Sequence, residues 1–178
     1  MQTYIIIGLG NPGSEYSFTR HNFGHLAVDN LFNLWKIRPR KSKKLNCEIS
    51  RTSLNGQPLV LAKTGVYVNL SGQAVTGLMN EFSAEISDIL VLCDDFSIPF
   101  GKIRLRAKGS SGGHKGLQSV IDSAGSSEFA RLRLGIGPVP AGLDPKDFVL
   151  GEFSCEEKKS LKTILDESVP AIEKFILR

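Results

Sequence analysis

The sequence predicts a single α/β layered domain, on three observations. Its 178 residues and 19.4 kDa suffice for one hydrophobic core. Two short apolar runs, 3–8 and 88–93, read as buried strands, while 21–35 and the tail from Ser154 space apolar residues at helical period. No internal repeat, low-complexity tract or linker divides the chain, so strands and helices mix within one unit covering residues 1–178.

Each element has a local reason. Residues 3–8 (Thr-Tyr-Ile-Ile-Ile-Gly) are apolar and β-branched and stop at a loop containing Gly and Pro. Residues 21–35 carry Leu26, Val28, Leu31, Phe32 and Trp35 at helical spacing, and the basic stretch 36–44 reads as a loop. Residues 45–53 and 57–63 make a hairpin, because Asn55-Gly56 suits its turn. Residues 71–82 are a short helix with Ser71 near its N-cap. The run 88–93 is the second buried strand. Residues 102–106 alternate basic and apolar, the period of a half-exposed strand, and 131–136 alternate in the same way before Gly137-Pro138. Between them lie a Gly/Ser loop at 108–113 and a helix at 114–123. Ser154 and Glu157 form a capping box. The helix it opens carries Leu161, Ile164, Leu165, Ile172, Phe175 and Ile176 on one face and is expected to kink at Pro170.

With 41% hydrophobic and 22% charged residues, the composition excludes a disordered chain. Three scattered cysteines, Cys47, Cys93 and Cys155, exclude a disulfide scaffold, argue against a zinc knuckle and fit a reducing, cytoplasmic compartment. The longest apolar stretch near the start, residues 4–7, is too short for a membrane span or a signal peptide. The net charge is +4, unevenly spread. Residues 36–44 hold six bases (Lys36, Arg38, Arg40, Lys41, Lys43, Lys44) and no acid, and residues 102–115 hold five (Lys102, Arg104, Arg106, Lys108, Lys115) and no acid. Residues 144–178 hold eight acids against six bases. One-signed patches attract polyanions, so nucleic acid is the first partner to consider, beside the plainer reading of a solvated basic surface.

Three short patterns point elsewhere. Gly8-Leu9-Gly10-Asn11-Pro12-Gly13 matches G-x-G-x-x-G after a strand. A dinucleotide site needs a helix to open inside that motif, but Pro12-Gly13-Ser14 favours an extended loop. Gly109-Ser110-Ser111-Gly112-Gly113 matches G-x-S-x-G, yet the last histidine is His114, which excludes the order Ser, acid, His. The order His21, Asp94, Ser111 stays open, so a serine hydrolase using Ser111 is an alternative to a Gly-rich loop made for close backbone approach. His21 and His25 stand four apart, as in metalloprotease helices, but Asn22 occupies the glutamate position. A third metal ligand would have to be His114 or Asp94.

Four polar residues remain in loops or at element ends: Asn11 after the first strand, His21 opening the first helix, Asn69 before the Ser71 helix, and Asp94 ending the second buried strand. In an open α/β sheet, Asn11 and Asp94 face the crevice at the strand carboxyl ends. A histidine serves as base near neutral pH, a carboxylate on its other nitrogen fixes its tautomer, and asparagine amides anchor water or an oxyanion. Together they describe hydrolysis by activated water, with neither metal nor covalent intermediate. Taken singly, Asn11 also reads as a turn residue, Asp94 or Asp95 as a loop cap and Asn69 as a helix cap.

Longer stretches carry a resemblance. Gly8-Leu9-Gly10-Asn11-Pro12-Gly13, then Tyr16 and Thr19-Arg20-His21-Asn22-Phe23-Gly24, resembles the opening of the bacterial peptidyl-tRNA hydrolases. Tyr67-Val68-Asn69-Leu70-Ser71-Gly72 is similar to their second motif, and Asp94-Asp95, Pro99, Gly101-Lys102-Ile103-Arg104 and the segment from Gly109 through His114 to Leu117 to their third. Arg131-Leu132-Arg133-Leu134-Gly135-Ile136-Gly137 and Phe148-Val149-Leu150-Gly151 resemble their late segments. The resemblance implies a monomeric α/β enzyme with a twisted mixed central β-sheet and helices on both faces, needing no cofactor, metal or membrane. It implies cleavage of the ester joining a peptide to the 3′ end of tRNA. His21 would activate water, Asp94 would hold His21 in its basic form, and Asn11 would tell blocked from free α-amino groups. Asn69 would position water or substrate, and Tyr16 and Tyr67 would line the groove. Arg104, Arg106 and Arg133 would grip acceptor-stem phosphates.

The chain departs from the family at four positions: Val68 stands where Met is usual, Val66 where Thr is common, Thr64 where Pro is common, and Lys115 where Asn is usual. The first three alter packing under the site wall. Lys115 has donors only, so it would meet a phosphate as a point charge instead of reading substrate through an amide. The alternative on the same fold is a non-catalytic RNA-binding module, because the family includes chloroplast intron-splicing factors. The lack of a transit peptide or long extension in this sequence weighs for the enzyme.

Overall fold

The computed structural model describes residues 2–178. At its centre is β1 (Tyr4–Gly8), every residue of which is buried. Tyr4 and Ile6 point into one apolar cluster and Ile5 and Ile7 into a second on the opposite face, which is why this strand is apolar without alternation. It lies parallel between β4 (Gln57–Thr64) and β5 (Ile89–Pro99). Parallel β7 (Ala130–Gly137) and antiparallel β6 (Ile103–Arg106) extend one side, and β3 (Cys47–Leu54) and β2 (Arg40–Ser42) extend the other. The result is a seven-stranded mixed sheet in the order β2-β3-β4-β1-β5-β7-β6. Helices α1 (Phe23–Leu34), α4 (Pro145–Leu150) and α5 (Cys155–Ile176) cover the first cluster, and α2 (Ser71–Phe82) and α3 (Lys115–Ala124) cover the second.

The β3–β4 hairpin turns at Asn55-Gly56, whose φ values of 49° and 84° are the left-handed pair that turn needs. Ser154 and Glu157 form the expected capping box of α5, and the helix continues through Pro170. Elsewhere the structure differs from expectation. Within the stretch read as a loop, 40–42 form an edge strand held only by β3. The second buried strand does not stop at residue 93 but runs to Pro99, with a register shift between Asp95 and Pro99. A tight 3₁₀ turn, Arg20–Asn22, precedes α1, so the α-helix opens at Phe23. Ser71 opens α2 without capping it; its hydroxyl donates back to the Val68 carbonyl. The helix α4 had no counterpart in the hydrophobic pattern.

One close approach fixes the site. The first turn of α1 rests on the ends of β1 and β5, and a Cβ on Gly24 would fall 2.3 Å from the Leu92 carbonyl oxygen. Only a residue without a side chain lets α1 sit this low, and the 3₁₀ turn carrying His21 is thereby lowered beside β5.

Candidate active site

The pairing of β1 with β5 ends at Gly8–Leu92, where Leu9 N–H still donates to Leu92 O. Beyond this point β5 keeps β7 on one side but has lost β1 on the other, and Asp94 lies in the gap. His21 Nδ1 is 2.9 Å from Asp94 Oδ1, across 73 residues of sequence, with 10% and 2% of the two side chains exposed. A second imidazole shares that oxygen: His114 Nε2 lies 3.0 Å from Asp94 Oδ1. The two rings are 4.7 Å apart.

Hydrogen bonding settles where the protons lie. His114 is the N-cap of α3, and its Nδ1 accepts the backbone N–H groups of Gly116 (3.1 Å) and Leu117 (3.2 Å). Its Nε2 therefore bears the proton and donates to Asp94. Burial alone would raise the Asp94 carboxyl, but the electrostatic pull and hydrogen bonds of the two imidazoles, His21 and His114, overturn this and hold it well below the usual carboxylate range. As a carboxylate it accepts Nδ1–H of His21, which leaves Nε2 of His21 with a lone pair and no partner among the described residues. Burial works to lower the His21 pKa, the Asp94 charge and hydrogen bond more than compensate, and Lys115 pulls weakly downward; the net effect is a raised value.

His21, Asp94 and His114 also form the one group among the described residues whose ligand atoms cluster as a cation site would. The proton on His114 Nε2 occupies the lone pair that a metal would need, so this donor set fits a hydrogen-bonded triad. His25 is outside it: its Nε2 meets Thr64 Oγ1 at 2.9 Å, and burial with the nearby Lys63 pushes its pKa down to about 3. Ser111 lines the same cavity as His21, but its hydroxyl pairs with neither imidazole among the described residues, which gives no support to a serine nucleophile. No helix opens within residues 8–13, in keeping with the rejected dinucleotide motif.

Asn11 is buried, and its orientation is determined. Its Oδ1 accepts the Val68 N–H (2.9 Å), its backbone N–H donates to Asn22 Oδ1 (2.8 Å), and its carbonyl accepts from Asn22 Nδ2 (2.9 Å). With the side-chain oxygen taken, Asn11 keeps only its Nδ2 donors for a ligand. Thr64 braces the loop from behind, donating to Gly10 O at 3.2 Å.

The cavity is about 330 Å³ and is lined by Asn11, His21, Asp94 and His114 together with apolar Phe96, Pro145, Val149 and Leu150. Asn69 and Lys115, both exposed, stand on its rim. Tyr16 and Tyr67 lie outside this lining and pack edge to face, 6.4 Å between centroids. Arg133 lines the cavity, but its guanidinium is engaged by Asp95 Oδ2 (2.8 Å) and the Ser110 carbonyl (2.8 Å). Arg104 and Arg106 lie on β6, exposed and in register with Arg133 and Arg131, so the four share a face of the sheet. Arg131 is fully buried and bonds the carbonyls of Gly109, Ser110, Ser127 and Phe129, so it ties down the loop before α3 and is not a surface charge.

Sequence reasoning brought together Asn11, His21, Asn69 and Asp94 but missed three contributors. His114 was noted as a possible metal ligand and within the third motif, but not as a partner of Asp94. Asn22 carried no signal beyond its place next to His21. The apolar wall of α4 was signalled only by Asp144-Pro145, a cap followed by proline at the first helical position; Asp144 indeed caps the Lys146 N–H at 2.7 Å.

The chain is similar to known proteins in sequence and in fold. The sequence profile of the family described as peptidyl-tRNA hydrolase matches residues 5–178. The peptidyl-tRNA hydrolase of Desulforudis audaxviator is 45% identical over 167 residues, covering 94% of this chain and 84% of that protein. The enzyme of that name from Bacillus cereus strain Q1 is 40% identical over 172 residues, 97% and 92% of the two chains. Among solved structures, a mutant of Acinetobacter baumannii peptidyl-tRNA hydrolase superposes with a TM-score of 0.92 at 31% identity, covering 99% of this chain and 89% of that one.

Proposed function

The chain belongs to the peptidyl-tRNA hydrolase family, and on that footing we propose that it cleaves the ester between an N-blocked peptide and the 3′ end of tRNA with water activated by His21. The observation carrying this reading is the 2.9 Å bond from His21 Nδ1 to Asp94 Oδ1 inside a cavity where Nε2 is free. Water held at Nε2 gives up a proton to it as its oxygen attacks the ester carbonyl carbon. Asp94 stabilises the imidazolium and keeps its plane. When the tetrahedral intermediate collapses, the carbon–oxygen bond to the terminal ribose breaks and Nε2–H returns its proton to that oxygen. The products are free tRNA and a peptide carboxylic acid, which loses the second water proton to solvent, with no covalent enzyme intermediate and no metal.

The Nδ2 donors of Asn11 give a physical basis for sparing aminoacyl-tRNA. The carbonyl that blocks the α-nitrogen accepts from Nδ2, whereas a free ammonium offers only donors and meets donors. Asn69 and Lys115 on the rim, with Tyr16 and Tyr67 beyond it, receive the 3′-terminal part of the substrate, and Arg104 and Arg106, whose guanidinium groups have no partner among the described residues, meet acceptor-stem phosphates; Arg133 shares its charge with Asp95. The enzyme acts as a cytoplasmic monomer of one domain on a product of translation. The test is release of the N-acyl amino acid from N-acetyl-aminoacyl-tRNA, with free aminoacyl-tRNA as the comparison. Release from the first and little from the second is expected; tRNA binding without release from either would point to an RNA-binding module instead.

A further inference from the structure

We propose that residues 36–44, on the sheet edge far from β6, form a second phosphate-binding surface for the tRNA body; this deepens the hydrolase reading and rests on it. Lys36, Arg38, Arg40, Lys41, Lys43 and Lys44 are all exposed. Only Lys44 has a carboxylate partner among the described residues, Glu81 at 2.6 Å. The other five charges repel one another within nine residues of chain without internal compensation. Edge strands are often blunted by a lysine or two against self-pairing. Here the basic residues continue past both ends of the three-residue strand β2 and outnumber what that needs.

Topology turns this edge toward the site. In the sheet register Ser42 pairs with Cys47, and Cys47 with Thr64, at the same end of β4 that leads into Tyr67, Val68 and Asn69. Lys41 and Lys43 line a second cavity of 540 Å³ that backs onto the loop of Asn11, Pro12 and Gly13, so Asn11 separates it from the catalytic cavity. The opposite edge, β6, presents exposed Arg104 and Arg106. Six inter-strand steps separate the two edges, about 29 Å at ordinary strand spacing. An RNA arm whose 3′ end enters between β1 and β5 is flanked by basic side chains on both sides, and the chemistry that matches a row of unpaired Lys and Arg is the phosphodiester backbone.

The test uses the whole chain with Arg40→Gln, Lys41→Gln and Lys43→Gln combined, since none of these side chains has a partner among the described residues. Affinity for uncharged tRNA is measured against salt, and release is measured from N-acetyl-aminoacyl-tRNA and from its 3′-terminal trinucleotide alone. The slope of log affinity on log salt should become shallower by about 2 to 3, the counterions no longer released by three contacts. Turnover of the trinucleotide should match the parent. A slope unchanged from the parent, or equal loss on both substrates, overturns the proposal. If the parent releases nothing from either substrate, the hydrolase reading fails by itself, and the slope still decides whether this edge holds RNA.

Discussion

His114 is 3.0 Å from Asp94 through a nitrogen that must be protonated, because its other nitrogen accepts two backbone N–H groups of α3. One side chain thus caps a helix and holds the carboxylate that meets His21. The two jobs can be separated. His114→Asn should keep the cap and the stability, within about 0.5 kcal/mol, while kcat falls about 10-fold with little change in KM, the scale of one lost hydrogen bond of ~1.4 kcal/mol. His114→Ala should show the same kinetic loss and a further destabilisation of about 1 kcal/mol. Wild-type kcat in the Asn variant would mean that the bond to Asp94 plays no part in turnover.

The pH profile should move in opposite directions for two variants. In the proposed mechanism His21 acts as a base only when neutral, so activity should rise with pH through its pKa, which burial and Lys115 lower and Asp94 raises. In Asp94→Asn the raising charge is gone while burial and Lys115 remain, so the acidic limb shifts to lower pH and the plateau drops by about 10² to 10⁴ as tautomer control is lost. In Lys115→Met a lowering charge is gone, and the limb shifts to higher pH. Profiles of kcat against pH check both; limbs that move together would refute the assignment of His21 as the titrating base.

Two glycine-to-alanine changes should differ in sign. Gly24→Ala places a Cβ against Leu92 O and against Leu9 N and O, so α1 must lift from the strand ends. Stability should fall by about 1–3 kcal/mol and kcat with it, since His21 leaves Asp94. In α2 a Cβ on Gly77 meets only Leu45 Cδ2, at 3.9 Å, and Gly77→Ala should stabilise by about 0.5–1 kcal/mol through helix propensity alone. Thermal unfolding of the pair beside kcat reads both effects.

What the sequence made legible was local. The run of 3–8, the Asn55-Gly56 turn and the Ser154–Glu157 box each depend on neighbouring residues, and each formed as expected. Edge strand β2 was not legible because it has no apolar face and exists only through β3. The buried role of Arg131 was not legible either, since on a strand a guanidinium bound for four carbonyls looks the same as one bound for solvent. Helix α4 is too short at six residues to show a period. The 2.9 Å meeting of His21 with Asp94 is a tertiary fact set by backbone contact at Gly24; loop position and chemistry suggested the pair, and the resemblance assigned its roles, but neither gave the contact itself. Asn11 and Asn69 were picked for their loop positions, but the direction of the Asn11 amide came from the Val68 N–H.

The most direct test of the mechanism is single-turnover release from N-acetyl-aminoacyl-tRNA by His21→Ala, with tRNA affinity measured on the same protein. A base acting at Nε2 predicts a rate lower by about 10² to 10⁴ with affinity within a few-fold of the parent. A variant that still turns over near the parent rate, or that loses binding and rate in equal measure, would contradict water activation by His21.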